Sequence, residues 1–372
     1  MTYLTVRQTP LQCLHPAMPP VTMRTIAAEV GFSKNTVSLA LRGDPSITAA
    51  TRDLIRKTAD RLGYQPNAVV SHLMAQLRSS QTARFQAKLA LVNAHRDPRA
   101  FRTHATIPAY VQGCERRALR LGYAFDHFWL HDPRLKAESW TRVLRTRAIK
   151  GIIIVGMMDQ NRLPPHLLPV WENFACVVTG VRTREPALSF SCVDHHDLVI
   201  QAFERALALG YQRPALAVEE RIDRLVEGRF SGAMLTAQQG LPRARRVPAF
   251  LQIERARTDR GLFYDWFDRY RPDVLLSLYN VVFPWLKDRG LRVPKDIGVI
   301  QLEWRESHAE ISGMNQHNDA VGEAAVDMVV SQIHHNETGI PAFPRATLIG
   351  ASWVDGQSVR PQGTPAPGRS RR

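Results

Sequence analysis

Two kinds of side-chain cluster in this 372-residue chain could do chemistry. The first is Asp194-His195-His196-Asp197, whose imidazoles and carboxylates invite a metal ion. Adjacent histidines on a helix point about 100° apart, whereas a metal-binding pair on a helix wants i,i+4 spacing. Asp194 reads instead as the cap of a helix that follows a strand. His334 and His335, at the end of another predicted helix, suit the negative end of its dipole. No GxGxxG, GxxxxGKS, GxxxxGKT, GxSxG or HExxH occurs, so the sequence offers no carrier for catalysis, and neither a cofactor nor a metal is expected. Cys13, Cys114, Cys176 and Cys192 lie far apart without CxxC spacing and read as reduced core thiols. The second cluster is Lys34, Asn35, Ser38 and Arg42, spaced to share one face of a short helix. Such side chains donate and accept hydrogen bonds or neutralise phosphates, as a helix in a DNA major groove must.

The elements that would position this second cluster are legible in the residues around it. Thr22 can cap a first helix with Ile26, Ala27 and Val30 inward, and Gly31 supplies the tight turn after it. Ser33 caps a second helix from Lys34 to about Leu41, with Val37, Ala40 and Leu41 on the face opposite the polar set. Thr48 caps a third helix through Leu62, with Leu54, Ile55, Ala59 and Leu62 inward and Gly63 at its end. The short turn between the first two is helix-turn-helix spacing. By periodicity alone the same pattern also fits a small helical bundle with an ordinary solvated face. Residues 67–78 follow, with Asn67 as cap and Val69, Val70, Leu73, Met74 and Leu77 along one stripe. So short a helix is marginal in water and would form against a partner, most simply the same segment of a second subunit.

Lys and Arg number 49 against 34 acidic residues, a net charge of +15 that makes a polyanionic partner plausible. Residues 22–78 hold eight of the basic and four of the acidic residues, so charge alone does not locate that partner. Hydrophobic residues make up 44%, and the longest apolar runs, such as residues 151–156, fall far short of the roughly 20 residues of a membrane helix. The first 20 residues lack the pattern of a secretory signal, which leads us to expect a cytoplasmic protein. From Lys88 onward, Val-, Ile- and Leu-rich runs alternate with helical stretches. Strands are predicted at 88–93, 123–129, 151–155, 175–179, 188–193, 214–218, 248–252, 273–278, 297–302 and 346–354. Helices are predicted at 106–121, 134–147, 196–209, 228–239, 259–270, 281–289 and 319–335. This alternation predicts an α/β body of open parallel sheets, and ten strands suit two subdomains better than one.

The literal residues say more. The stretch VTMRTIAAEVGFSKNTVSLALRGDPSITAATRDLIRKTADRLGYQPNAV resembles, nearly position for position, the DNA-binding head of the LacI/GalR family of bacterial regulators. The matches are the V-T start, the A-x-x-x-G-x-S turn, the T-V-S of the recognition helix, the T-R of the third helix and the L-G-Y-x-P-N before the hinge. The body is similar to the family's effector domain, related to periplasmic sugar-binding proteins, at Ala118–Tyr123, 151–156, 206–218, 289–300 and around Gly350–Ser358.

The resemblance implies a homodimer bound to a two-fold symmetric operator in double-stranded DNA, most simply as a repressor. It also implies a small effector, a sugar or related metabolite, held between two Rossmann-like, periplasmic-binding-protein-like subdomains. DNA contacts then fall to Thr22, Ser33, Lys34, Asn35, Thr36, Ser38, Leu39, Arg42, Thr48, Tyr64 and Asn67, with Leu73 as the hinge residue that wedges a base step open. Leu39 departs from the family's usual arginine and offers only apolar contact, so operator preference should differ. For the effector, the resemblance implies Arg229, Asn280 and Glu303, though Val281 stands where the family has Asp and Glu303 lengthens the family's Asp by a methylene. Asn93 and His95 could also face the cleft, although local capping would account for both. The expected layout is a flexible arm at 1–20, the head at 21–66, the hinge helix at 67–78, a linker at 79–87, the body at 88–360 and a disordered tail at 361–372. Within the body, an N-subdomain is expected at about 88–192 and 317–345, and a C-subdomain at about 193–316 and 346–360.

Overall fold

The computed structural model describes residues 21–41, 44–64 and 87–362, which fall in two separate units. The expected hinge at 67–78, with Asn67 and Leu73, lies outside the described residues, as do Arg42, Cys13, the 1–20 arm, the linker up to Gln86 and the 363–372 part of the tail.

The smaller unit holds three helices, α1 (Met23–Val30), α2 (Lys34–Leu41) and α3 (Ala49–Arg61). Each begins where a hydroxyl can take up orphan backbone donors. Thr22 Oγ1 accepts the Thr25 amide at 3.3 Å, and Thr25 Oγ1 returns the favour to the Thr22 amide at 3.3 Å. Ser33 Oγ accepts the Thr36 amide at 3.0 Å, and Thr48 Oγ1 accepts that of Thr51 at 3.3 Å. Gly31 ends α1 at φ 71°, a left-handed conformation that only glycine adopts cheaply. Ile26, Ala27, Val37, Ala40, Ile55 and Ala59 form the buried centre. One inward assignment fails: Leu54 is 50% exposed. Its place is taken by Thr58, which together with Ile55, Ala59 and Leu62 follows the 3.6-residue period, a stripe that Leu54 misses by one position. The Thr58 hydroxyl is satisfied by donating to Leu54 O at 2.9 Å.

The larger unit contains two sheets. The first is all parallel, in the order β10-β5-β4-β3-β1-β2, from β1 (Ala87–Asn93), β2 (Tyr123–Trp129), β3 (Ile149–Val155), β4 (Ala175–Thr179), β5 (Ser189–Val193) and β10 (Ala346–Ile349). The second runs β11-β9-β8-β7-β6, from β6 (Pro214–Ala217), β7 (Val274–Ser277), β8 (Gly298–Gln301), β9 (Gly313–Asn315) and β11 (Ser352–Val354), with β11 alone antiparallel. The chain thus passes between the lobes after β5, after β9 and after β10. The single strand expected at 346–354 is two strands in different sheets, broken at Gly350-Ala351, so the second lobe regains the chain at Ser352 and not at 346. The expected 248–252 strand makes only isolated bridges beside β6.

Both faces of the inner strands are buried, as parallel sheets require, while the edge strands β2, β10 and β11 are partly exposed. In β7, Val274 and Leu276 enter the main core, while Leu275 enters a second core with Phe263 and Trp285. In the first lobe the Ile107–Arg120 and Asn318–His334 helices cross at very close range. A Cβ on Gly322 would lie 2.1 Å from Tyr110 O, and one on Gly113 would lie 1.8 Å from Asp319 O. This crossing fixes the helix whose start, at Thr106, borders the cleft between the lobes.

Candidate functional site

A cleft of about 640 Å³ separates the lobes, walled by residues at the carboxyl ends of β1, β3, β4, β6, β7 and β8. That is where open α/β sheets present their loops to small ligands. Two polar bridges span it. On one side Glu303 accepts the Thr106 hydroxyl at 2.7 Å, the Arg305 guanidinium at 2.9 Å and Asn318 Nδ2 at 3.4 Å. Arg305 also reaches Thr106 Oγ1 at 3.3 Å. On the other side Arg221 donates to Met158 O at 2.9 Å and Asp159 at 3.0 Å while holding Glu219 at 2.9 Å. The Tyr279 hydroxyl adds a 3.4 Å bond to Glu219, and burial beside that carboxylate pushes the phenol well above its usual range.

Of the residues expected to meet an effector, Asn280, Glu303 and His95 line this cleft. Asn280 Oδ1 accepts Gln301 Nε2 at 2.9 Å. Two others do not reach it. Asn93 is 2% exposed and shapes its own loop, donating to Asp97 O at 3.0 Å and Pro98 O at 3.2 Å and accepting the His95 amide at 2.9 Å. Arg229 borders a small adjoining space instead, with its guanidinium 3.6 Å from Cys192 Sγ and 3.9 Å from Glu227. Glu227 explains this placement, since it also holds Arg182 and Arg184 and draws three guanidinium groups away from the cleft. Three other arginines line the cleft, Arg221 and Arg257 from short helices and Arg305 from a loop, and no motif announced them. The signal for Arg221 and Arg305 is positional: each follows the end of a strand by a few residues.

Three histidines line the cleft. His95 Nδ1 accepts the Asp97 amide at 3.0 Å, and His104 Nδ1 accepts that of Thr106 at 3.1 Å. A nitrogen that accepts an amide proton carries none of its own, so both neutral rings are protonated on Nε2. Burial, with the charges of His95 and Arg305 nearby, lowers the His104 pKa. His195 is buried against Phe230, ring centroids 5.0 Å apart, while His196 is exposed. Asp194 caps that helix through the Asp197 amide at 3.2 Å. Burial, then Arg229, pushes the His195 pKa down to about 4 against the pull of Asp194. The unfolded chain binds this proton below about pH 6.5 and the folded chain only below about 4, so stability is full above 6.5 and falls as pH drops through that window. Urea unfolding at stepped pH should therefore give a steeper acid slope for the natural chain than for His195→Leu; identical slopes would disprove it.

In the smaller unit, Lys34 and Asn35 are exposed on the outer face of α2, with Ser38 and Leu39 partly exposed beside them. Thr36 is partly buried because its hydroxyl turns back to Ser33 at 2.8 Å. Thr22, Ser33 and Thr48 stand at helix starts as caps, and Tyr64 packs against the small core.

Residues 22–67 match the family described as bacterial regulatory proteins, lacI family, and residues 203–359 match the periplasmic binding protein-like domain. The chain thus carries a lacI-family DNA-binding head and a periplasmic binding protein-like domain. The curated proteins it matches are HTH-type transcriptional regulators and repressors. Its relatives include the HTH-type transcriptional regulator RafR of Escherichia coli, 26% identical over 57% of this chain and 59% of that protein. The HTH-type transcriptional regulator PtxS of Pseudomonas plecoglossicida is 24% identical over 87% of this chain and 92% of its own length. Among solved structures, the lac repressor dimer bound to operator and the anti-inducer ONPF superposes with a TM-score of 0.53 at 20% identity, over 92% of this chain and 100% of that one, a likeness of fold. No helix among the described residues is long and apolar enough to cross a membrane.

Proposed function

We propose that this regulator is a cytoplasmic homodimeric repressor without catalytic activity, whose grip on a two-fold symmetric operator is set by a small effector in the interlobe cleft. The observation that carries the reading is the cleft itself: hydrogen bonds from opposite lobes meet across it at Thr106 and Glu303 and at Asp159 and Arg221. A ligand that binds one closure state better than another shifts the population of the two, and through it the state of the DNA-binding part. Lys34, Asn35, Thr36 and Ser38 are proposed to read or position the operator from α2, with Arg42, Tyr64, Asn67 and the caps Thr22, Ser33 and Thr48 supporting, and Leu73 wedging a base step. Asn280, Glu303 and His95 are proposed to meet the effector, joined by Arg305 and Arg221. The lac repressor dimer solved with operator and anti-inducer has the same fold, which supports the scheme.

Leu39 gives the sharpest test. Selection of the full chain against random duplexes is expected to enrich a two-fold symmetric site. Leu39→Arg is expected to move one position in each half-site toward G·C, since arginine grips guanine O6 and N7 where leucine cannot. Absence of any symmetric site would sink the proposal.

A further inference from the structure

One end of the cleft is furnished with hydrogen-bond donors from both lobes. His95 and His104 stand side by side, ring centroids 5.3 Å apart, and both line the cleft. Each has its Nδ1 filled by a backbone amide, and the Nε2 proton of each ring meets no acceptor among the described residues. Arg305 comes from the other lobe, close enough to His104 to act on its charge, and its Nε is buried without a partner. The Ile107–Arg120 helix begins immediately after His104 and Thr106, so the positive end of its dipole lies beside the same donors. Near Arg305 the character changes to acceptors. Glu303 offers its carboxylate, and Gln301, 4% exposed, carries a buried Oε1 with no partner.

A sugar hydroxyl placed among the two imidazoles and Arg305 would meet donors on every side, and the nearest acceptor, Glu303, already takes the Thr106 hydroxyl and the Arg305 guanidinium. A carboxylate is acceptor-only, with about four lone-pair sites. The other cations of the cleft are already committed, Arg221 to Glu219 and Asp159 and Arg257 to Glu254. Glu303 neutralises Arg305, so a carboxylate there would be held by the imidazole N–H donors and the helix dipole, which suits one monoanion better than a phosphate dianion.

We propose that the effector of this cleft is a polyhydroxylated carboxylic acid, an aldonate or uronate, with its carboxylate among His95, His104 and Arg305 and its hydroxyls on Glu303 and Gln301. This rests on the reading of the cleft as the effector site. The bound acid would join the two lobes through one group, since the histidines belong to one and Arg305 to the other.

The test is isothermal titration of the full chain with gluconate, galactonate, glucuronate and galacturonate against neutral glucose and galactose. At least one acid is expected to bind tenfold or more tightly than its parent sugar. His104→Leu is expected to weaken that acid at least tenfold, while His104→Gln, which keeps an N–H donor, retains most of the affinity. Operator binding and melting of each variant without ligand verify that it folds; a variant that does not is replaced by His95→Leu, with the same expectation. A neutral sugar bound as tightly as its acid, or an acid indifferent to the histidine changes, overturns the proposed ligand class and leaves the effector reading standing. No binding by either class overturns both.

Discussion

Gly322→Ala is expected to lower the melting temperature of the larger unit by roughly 6–12 °C. The added methyl would stand 2.1 Å from Tyr110 O and 3.0 Å from the Cys114 amide nitrogen, both backbone atoms that cannot swing aside. The Asn318–His334 helix would have to lift off the Ile107–Arg120 helix, which overpacks a contact on which the first lobe is built. Overpacking of this kind costs about 3 kcal/mol, and in a unit of this size each kcal/mol shifts melting by roughly 2–4 °C. The same displacement would move Thr106 and Tyr110, so the Thr106 to Glu303 bridge across the cleft should loosen with it. Gly232→Ala is the matched control, since nothing lies within 4 Å of its would-be Cβ and alanine is the better helix former. It should melt at or slightly above the natural chain. Differential scanning calorimetry of the two variants decides the matter: equal melting temperatures would mean that the helix crossing is not the constraint described here.

The contrast between those two glycines shows what a sequence can and cannot convey. Local structure was readable because its determinants sit within one turn of each other: Thr22 with Thr25, Ser33 with Thr36, Thr48 with Thr51, and Gly31 at the turn. Strands buried on both faces were readable as apolar runs, with β4 predicted to the residue. What failed was short or relational. Strand β9 has three residues, too few for any period to show, and the 248–252 run is apolar and extended yet pairs only through isolated bridges. The break at Gly350-Ala351 is invisible locally because it depends on which sheet accepts each half.

The site follows the same division. Glu303 and Asn280 could be named because they follow strand ends in a pattern shared with relatives, and His95 because it follows β1. The partner of Glu303 could not, since Thr106 lies 197 residues away in sequence. Arg229 was named for the cleft and is held beside it, because Glu227, placed by the turn before that helix, competes for its guanidinium. The histidine tautomers that give the cleft its donor end depend on which backbone amides each ring meets, and only the folded loops settle that.

The second large effect is expected in the smaller unit. Its buried centre is six residues, of which Ile26, Val37, Ala40 and Ile55 are fully shielded. Truncating Ile26 to alanine removes a large part of that centre, and Ile→Ala in a core costs 2–5 kcal/mol. A unit this small buries a low fraction of its surface and holds only a few kcal/mol of net stability, which a loss at the upper end of that range exceeds. Apparent operator affinity falls with the folded fraction, so a loss that exceeds the unit's stability by about 1.4 kcal/mol weakens binding by Ile26→Ala about tenfold. Amides of α1–α3 should lose hydrogen-exchange protection at the same time, while those of β1 and β3 keep theirs. Leu54→Ala, at a site 50% exposed, should change binding less than threefold. If Ile26→Ala bound operator normally, α2 would not depend on this core for its shape, and the residues on its outer face would need another scaffold to explain their arrangement.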